Sequence, residues 1–77
     1  MLSRREISEV MRQWKNECQI THMILFRYSR NVLTVCTDKP GIMIGYRGDT
    51  VYKYTEIFKS KDKHFERIDF IETDGIV

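Results

Sequence analysis

The sequence predicts a small α+β domain in which helices pack on one face of a short sheet. Apolar residues repeat with helical spacing near the start of the chain and again after residue 49, and they alternate in strand-like segments elsewhere. The predicted order is helix, strand, strand, short helix, helix, strand, which favours helices gathered on one side of a small sheet. A chain of 77 residues has room for a single domain, residues 1–77.

The first helix is predicted over about residues 4–16. Ser3 and Glu6 have the spacing of a capping box, in which each side chain accepts a hydrogen bond from a backbone N–H group left free at the helix start. Apolar residues then follow at i, i+3, i+4 and i+7, namely Ile7, Val10, Met11 and Trp14. This stripe predicts one buried helix face, with Trp14 as a core anchor.

Two strands, residues 19–28 and 31–37, are predicted to form a hairpin with Ser29 and Arg30 at its turn. In that register Phe26 faces Leu33, and Ile24 faces Val35. The inward face then carries Ile20, His22, Ile24, Phe26, Leu33 and Val35. We expect His22 to be a buried core residue.

The opposite, outward face of the hairpin is unusually apolar. It carries Met23, Leu25, Val32 and Cys36, whereas the solvent side of such a sheet normally has polar residues. An apolar patch of this kind indicates an interface with a second copy of the chain or with another protein. Coverage of the patch by the first helix or by Gly75-Ile76-Val77 stays open as the alternative.

The second half of the sequence begins with a short helix at Pro40, which suits a first helical turn. A long helix is predicted to begin at Asp49, whose negative charge is favourable at the helix start. Its apolar stripe is Val51, Tyr54, Ile57 and Phe58, and its outward residues are Tyr52, Lys53 and Glu56. The final strand, residues 67–71, alternates with Ile68 and Phe70 inward.

The segment between the two helices carries the most specific motif. It reads Pro40-Gly41-Ile42-Met43-Ile44-Gly45-Tyr46-Arg47-Gly48-Asp49-Thr50-Val51. This run resembles the P-G-I-x-I-G-x-x-G-x-x-V core of KH domains, and the order of elements resembles that of type II KH domains. The chain is most similar to the KH domain of the bacterial small-subunit ribosomal KH protein. The resemblance implies the order α-β-β-α-GxxG-α-β, with the helices on one face of a three-stranded sheet.

The same resemblance implies binding of single-stranded RNA, or of single-stranded DNA, with about four nucleotides lying across the glycine loop. Glycines allow a backbone to approach a phosphodiester closely, and N–H groups at a helix start attract its charge. By matching position, the clamp on the phosphates is Gly45, Tyr46, Arg47 and Gly48, the apolar wall under the bases is Ile42 and Ile44, and nearby positive charge comes from Lys39 and Lys53. Tyr46 stands where many family members have a basic or polar residue, and a tyrosine can stack on a base. We also expect Ile42, Ile44 and Val51 to pack the two helices against the sheet.

Composition narrows the class of function further. The formal net charge of +2 is too small to indicate nucleic-acid binding by itself. Cys18 and Cys36 lack the spacing of a zinc site, and the short chain shows no catalytic constellation, so we expect no enzyme, metal or other cofactor. No signal-peptide pattern and no apolar run long enough to cross a membrane are present, which favours the cytoplasm. Two functions stay open: RNA binding without catalysis, and a protein-interaction or self-associating module on a KH scaffold.

Overall fold

The computed structural model describes residues 2–73 of the chain. Its elements are α1 (Arg4–Glu17), β1 (Leu25–Ser29), β2 (Val32–Thr37), α2 (Pro40–Ile44), a 3₁₀ turn (Tyr46–Gly48), α3 (Asp49–Lys61) and β3 (Arg67–Glu72). β2 is the central strand, antiparallel to β1 and parallel to β3. The described chain is therefore a small α+β fold with a three-stranded mixed sheet. None of its helices, within residues 2–73, has the length and apolar character needed to span a membrane.

The start and the buried face of α1 confirm the sequence prediction. The Ser3 hydroxyl accepts from the Glu6 N–H at 3.1 Å, and the Glu6 carboxylate accepts from the Ser3 N–H at 2.9 Å. These hydrogen bonds hold the pKa of Glu6 below its ordinary value. Trp14 is fully buried, stacks on Tyr54 of α3 with ring centroids 4.8 Å apart, and donates its indole N–H to the Met43 carbonyl at 3.1 Å. One residue of α1 thus contacts both α2 and α3.

The hairpin turn lies one residue later than predicted, at Arg30 and Asn31. Both residues have positive φ, 53° and 66°, as a type I′ turn requires, and this turn matches the twist of antiparallel strands. Phe26 therefore pairs with Val35 and not with Leu33. Every pairing moves by two positions, and such a shift leaves each side chain on its own face.

The first strand is shorter than predicted, because β1 begins at Leu25 and not at residue 19. The chain leaves α1 through Gln19, which has a positive φ of 59°, and the Ile20 N–H donates to the Lys15 carbonyl at 2.9 Å. The backbone here completes the end of α1 and does not pair with β2. Ile20 and Ile24 still reach the core from this connection.

His22 lies on the same connection and is exposed, so the prediction of a buried histidine was wrong. Its Nε2 lies 3.0 Å from Oδ1 of Asp38 at the end of β2. The alternation that placed His22 inward applies only to a strand, and residues 19–24 do not form one.

The buried stripe of α3 confirms the predicted helix phase. Tyr54 and Phe58 are fully buried, Val51 and Ile57 are half-buried against the core, and Tyr52 is exposed. Phe58 stacks on Phe65, which follows α3, with centroids 5.1 Å apart. Together with Leu33 and Val35 of β2, both fully buried, these side chains place the core between the helices and one face of the sheet. Ile68 and Phe70 of β3 pack against it, as predicted.

Candidate nucleic-acid interface

The GxxG loop is a single tight turn between α2 and α3. Three of its four residues have positive φ: 83° at Gly45, 55° at Arg47 and 79° at Gly48. The Gly48 N–H donates to the Gly45 carbonyl at 3.1 Å, and the Asp49 N–H donates to the Tyr46 carbonyl. The turn therefore satisfies part of its own backbone and leads directly into α3.

The two glycines are required for different reasons. A Cβ atom at Gly45 would lie 2.8 Å from Cβ and 2.9 Å from the backbone nitrogen of Thr50, closer than real Cβ contacts allow. Its φ of 83° with ψ of 175° is also a combination that is essentially confined to glycine. A Cβ at Gly48 would have its nearest neighbour 4.0 Å away, at Val51, so only the left-handed backbone favours glycine there. Gly45 thus allows α3 to begin in close contact with the end of α2.

Between the glycines, Tyr46 and Arg47 project from the fold. Tyr46 is 76% exposed, and Arg47 is exposed with its guanidinium carbon 5.2 Å from the centroid of the Tyr46 ring. Within residues 2–73 Arg47 forms no ion pair. A left-handed backbone is uncommon for an arginine, and such local strain is concentrated at functional sites. The loop thus presents an aromatic face and an unneutralised positive charge to solvent.

The start of α3, directly behind this pair, has no side-chain cap. The N–H groups in the first turn of a helix lack intrahelical partners and carry the positive end of the helix dipole. With 13 residues, α3 is long enough for both effects. The exposed Asp49 carboxylate in the same turn stabilises the helix start and offsets part of that positive charge. The uncapped turn adds hydrogen-bond donors for an anion to the charge of Arg47.

α2 presents a different residue to the core than predicted. Met43 is fully buried, while Ile42 is 50% exposed and Ile44 is half-buried, so the prediction that Ile42 packs the helices against the sheet was wrong. α1 holds the backbone here: Trp14 donates to the Met43 carbonyl, and the Cys18 thiol donates to the Ile42 carbonyl at 3.6 Å. Burial raises the pKa of the Cys18 thiol, which keeps it protonated as a donor. Ile42 therefore leaves an apolar side chain on the surface of the helix that precedes the loop.

The two predicted lysines differ in their surroundings. Lys53 Nζ lies 2.5 Å from Oε1 of Glu17, and the Tyr54 hydroxyl donates to the same oxygen at 2.7 Å. These hydrogen bonds hold the pKa of Glu17 below its ordinary value, while burial and the bond to Glu17 raise the pKa of Tyr54. Lys39 is exposed just ahead of α2, where its backbone N–H donates to the Thr37 hydroxyl at 3.0 Å. Part of the positive charge of Lys53 is thus offset within the chain.

Glu17 was absent from the predicted site, because no sequence spacing links the end of α1 to a lysine of α3. Only the packing of the two helices brings them together. The structure likewise brings no three His, Cys, Asp or Glu side chains of residues 2–73 close enough to hold a metal ion.

Comparisons with known proteins identify no family for this chain. No protein-family model matches the chain, and searches of the curated proteins and of the solved structures found no match.

Proposed function

We propose that this chain is a type II KH-like domain that binds single-stranded RNA through its GxxG loop and performs no catalysis. One observation carries the proposal: Tyr46 and Arg47 stand exposed, side by side, directly ahead of the uncapped first turn of α3. The order of the elements and the mixed sheet, with β2 between an antiparallel and a parallel neighbour, support the KH topology that the sequence resembles.

Each part of the loop has a chemical role in this proposal. The Arg47 guanidinium and the first-turn N–H groups of α3 donate hydrogen bonds to phosphate oxygens, which position the strand without specifying its sequence. Tyr46 stacks on a base or a ribose, and the exposed part of Ile42 supplies apolar contact for a neighbouring base. Neutralisation of one phosphate by Arg47 contributes about one unit to the salt dependence of binding.

The predicted lysines contribute unequally. Lys39 is exposed and forms no ion pair within residues 2–73, so its charge is available to a phosphate. Lys53 must first leave Glu17, and we therefore expect a smaller contribution from it.

The decisive experiment replaces Tyr46 and Arg47 with Asp and titrates a pool of labelled single-stranded RNAs by fluorescence anisotropy across a salt series. We expect affinity to fall at least about tenfold, or about 1.4 kcal/mol, because two negative charges then stand where phosphates bind. The melting temperature is expected to change little, since both side chains are exposed.

The matched control replaces Arg12 and Gln13 with Asp on the exposed side of α1. This pair, like the loop pair, consists of an arginine next to an uncharged residue, and its replacement changes the net charge by the same amount. A general charge effect would therefore weaken RNA binding equally in both variants. Wild-type affinity in the loop variant, or an equal loss in the control, means that the clamp is wrongly assigned.

A second function, a protein-interaction module on the same scaffold, is favoured by a different observation. Leu25 and Ile71 are exposed apolar residues on the side of the sheet away from the helices, and Met23, just ahead of β1, is exposed as well. The RNA titration separates the two functions: a wild type that binds no single-stranded RNA even at low salt leaves the interaction function alone.

A further inference from the structure

The outer face of the sheet, which is the face away from the helices, is arranged in three rows that run across the strands. The strand register places Leu25, Cys36 and Ile71 in the first row, Arg27, Thr34 and Asp69 in the second, and Ser29, Val32 and Arg67 in the third. The middle residue of each row belongs to β2, and the outer two belong to the edge strands β1 and β3. The face is thus apolar at one end and charged toward the other.

The apolar end is open to solvent. Leu25 and Ile71 are 65% and 52% exposed, and Met23, two residues ahead of β1, is 80% exposed. A shallow cavity of about 240 Å³ lies on this face, bordered by residues of the first two rows and by Phe26. α1 does not cover the patch, since its apolar stripe is buried in the core, and Gly75-Ile76-Val77 lie outside the described residues. Such a patch on a small domain indicates a protein partner.

The charged row identifies the partner. Arg27 on β1 is exposed and forms no ion pair within residues 2–73. Asp69 stands at the other end of the same row, on β3, where its Oδ1 already accepts a hydrogen bond from Arg67 at 3.1 Å while its Oδ2 has no hydrogen-bond partner within residues 2–73. The unpaired guanidinium of Arg27 on one edge and the second carboxylate oxygen of Asp69 on the other make the row complementary to its own copy after a half-turn about an axis parallel to β2.

We propose that the outer face packs on the outer face of a second copy. The two copies are related by a two-fold axis that is parallel to β2 and lies midway between the two faces. That rotation exchanges the two edge strands, as in any interface between identical surfaces related by a two-fold axis. Arg27 then lies over the partner's Asp69, Leu25 over the partner's Ile71, and Cys36 over the partner's Cys36. The GxxG loop lies between α2 and α3, away from this face, and stays available in both copies.

The outer face is small compared with the interfaces of stable complexes. β2 has six residues and is about 20 Å long, and three strands spaced by about 4.8 Å span roughly 15 Å with their side chains. Two such faces bury on the order of 600 Å² in total, less than the roughly 1,200 Å² of stable complexes. We therefore expect a weak dimer that forms only at high protein concentration.

Charge reversal tests the two-fold arrangement by sedimentation equilibrium at concentrations up to about 1 mM. Arg27→Glu places two like charges together at each end of the row, and Asp69→Arg does the same with the opposite sign. We expect each single variant to weaken dimerisation at least tenfold, and the double variant Arg27→Glu/Asp69→Arg to restore it to within about threefold of wild type. Circular dichroism verifies that each variant is folded, because Asp69 also bonds to Arg67 within the chain.

Two further variants test the apolar row. Leu25→Glu is expected to abolish dimerisation, while Tyr52→Glu, at a residue of similar exposure on α3, is expected to leave it unchanged. In Cys18→Ser the only cysteine left is Cys36, and a short bis-maleimide is expected to cross-link two copies, because the two Cys36 side chains point toward each other between sheets spaced by about 10 Å. The cross-link should disappear when Leu25→Glu is added and should be absent in Cys36→Ser.

Three results would overturn the proposal. They are a wild type that stays monomeric at about 1 mM, a double charge reversal that fails to restore dimerisation, and a Cys36 cross-link that persists with Leu25→Glu.

Discussion

Replacement of Gly45 with alanine probes the glycine loop sharply, because the structure predicts different costs for the same change at the two glycines. At Gly45 the backbone conformation alone costs about 1–3 kcal/mol for any other residue. The new Cβ would lie 2.8 Å from the Thr50 Cβ, which adds an overpacking cost of about 1–3 kcal/mol. We therefore expect Gly45→Ala to lower the free energy of unfolding by about 2–6 kcal/mol. At Gly48 the space is open, and only the left-handed backbone, worth about 1–2 kcal/mol, opposes alanine.

Thermal unfolding followed by circular dichroism measures the difference. In a domain of this size 1 kcal/mol corresponds to about 4–8 °C in the melting temperature. Gly45→Ala is expected to lower the melting temperature by at least about 10 °C, and by about twice as much as Gly48→Ala. Equal decreases for the two variants would refute the inference that the contact with Thr50 constrains the loop.

Two further predictions concern stability. Phe58→Ala is expected to cost about 3–5 kcal/mol, because Phe58 is fully buried and stacks on Phe65, whereas Tyr52→Ala should leave the denaturant midpoint unchanged; the opposite ranking would mean that the buried face of α3 is wrongly assigned. The Asp62 carboxylate accepts a hydrogen bond from the His64 N–H at 2.9 Å, which holds the pKa of Asp62 below its ordinary value. A lowered pKa in the folded state stabilises the chain at neutral pH, and this contribution is lost as the pH falls through the ordinary and then the lowered pKa. Asp62→Asn should therefore have a lower free energy of unfolding than wild type at neutral pH, and this free energy should fall less than that of wild type when the pH is lowered. Denaturant unfolding at neutral and acidic pH measures both changes, and an equal fall in the two proteins would contradict this prediction.

Local interactions explain why the helices were predicted to within a residue or so. The capping box joins Ser3 to Glu6 over a single turn, and an apolar stripe repeats within one helix, so both are visible without knowledge of the rest of the chain. The position of the GxxG loop between α2 and α3 was predictable for the same reason, because glycine and proline mark the ends of short elements.

The errors arose where local patterns carry too little information. Two hairpin registers that differ by two residues give identical faces, so alternation could not locate the turn at Arg30 and Asn31. A helix of five residues is too short for periodicity to show whether Ile42 or Met43 faces inward, and the contacts of α1 with its backbone decided it. His22 was assigned to a strand that the end of α1 excludes.

The helices, the approximate positions of the three strands and the residues of the glycine loop follow from the sequence, because they depend on interactions between neighbours along the chain. The tertiary structure alone decided what each site residue contacts. Helix packing brings Glu17 to Lys53, and the sheet register aligns Arg27 with Asp69. The way α3 begins brings Thr50 so close to residue 45 that only glycine fits there. Such pairs are far apart in sequence, depend on a sheet register or, like Gly45 and Thr50, join two different elements, and no local spacing encodes a distance that the packing of other elements sets.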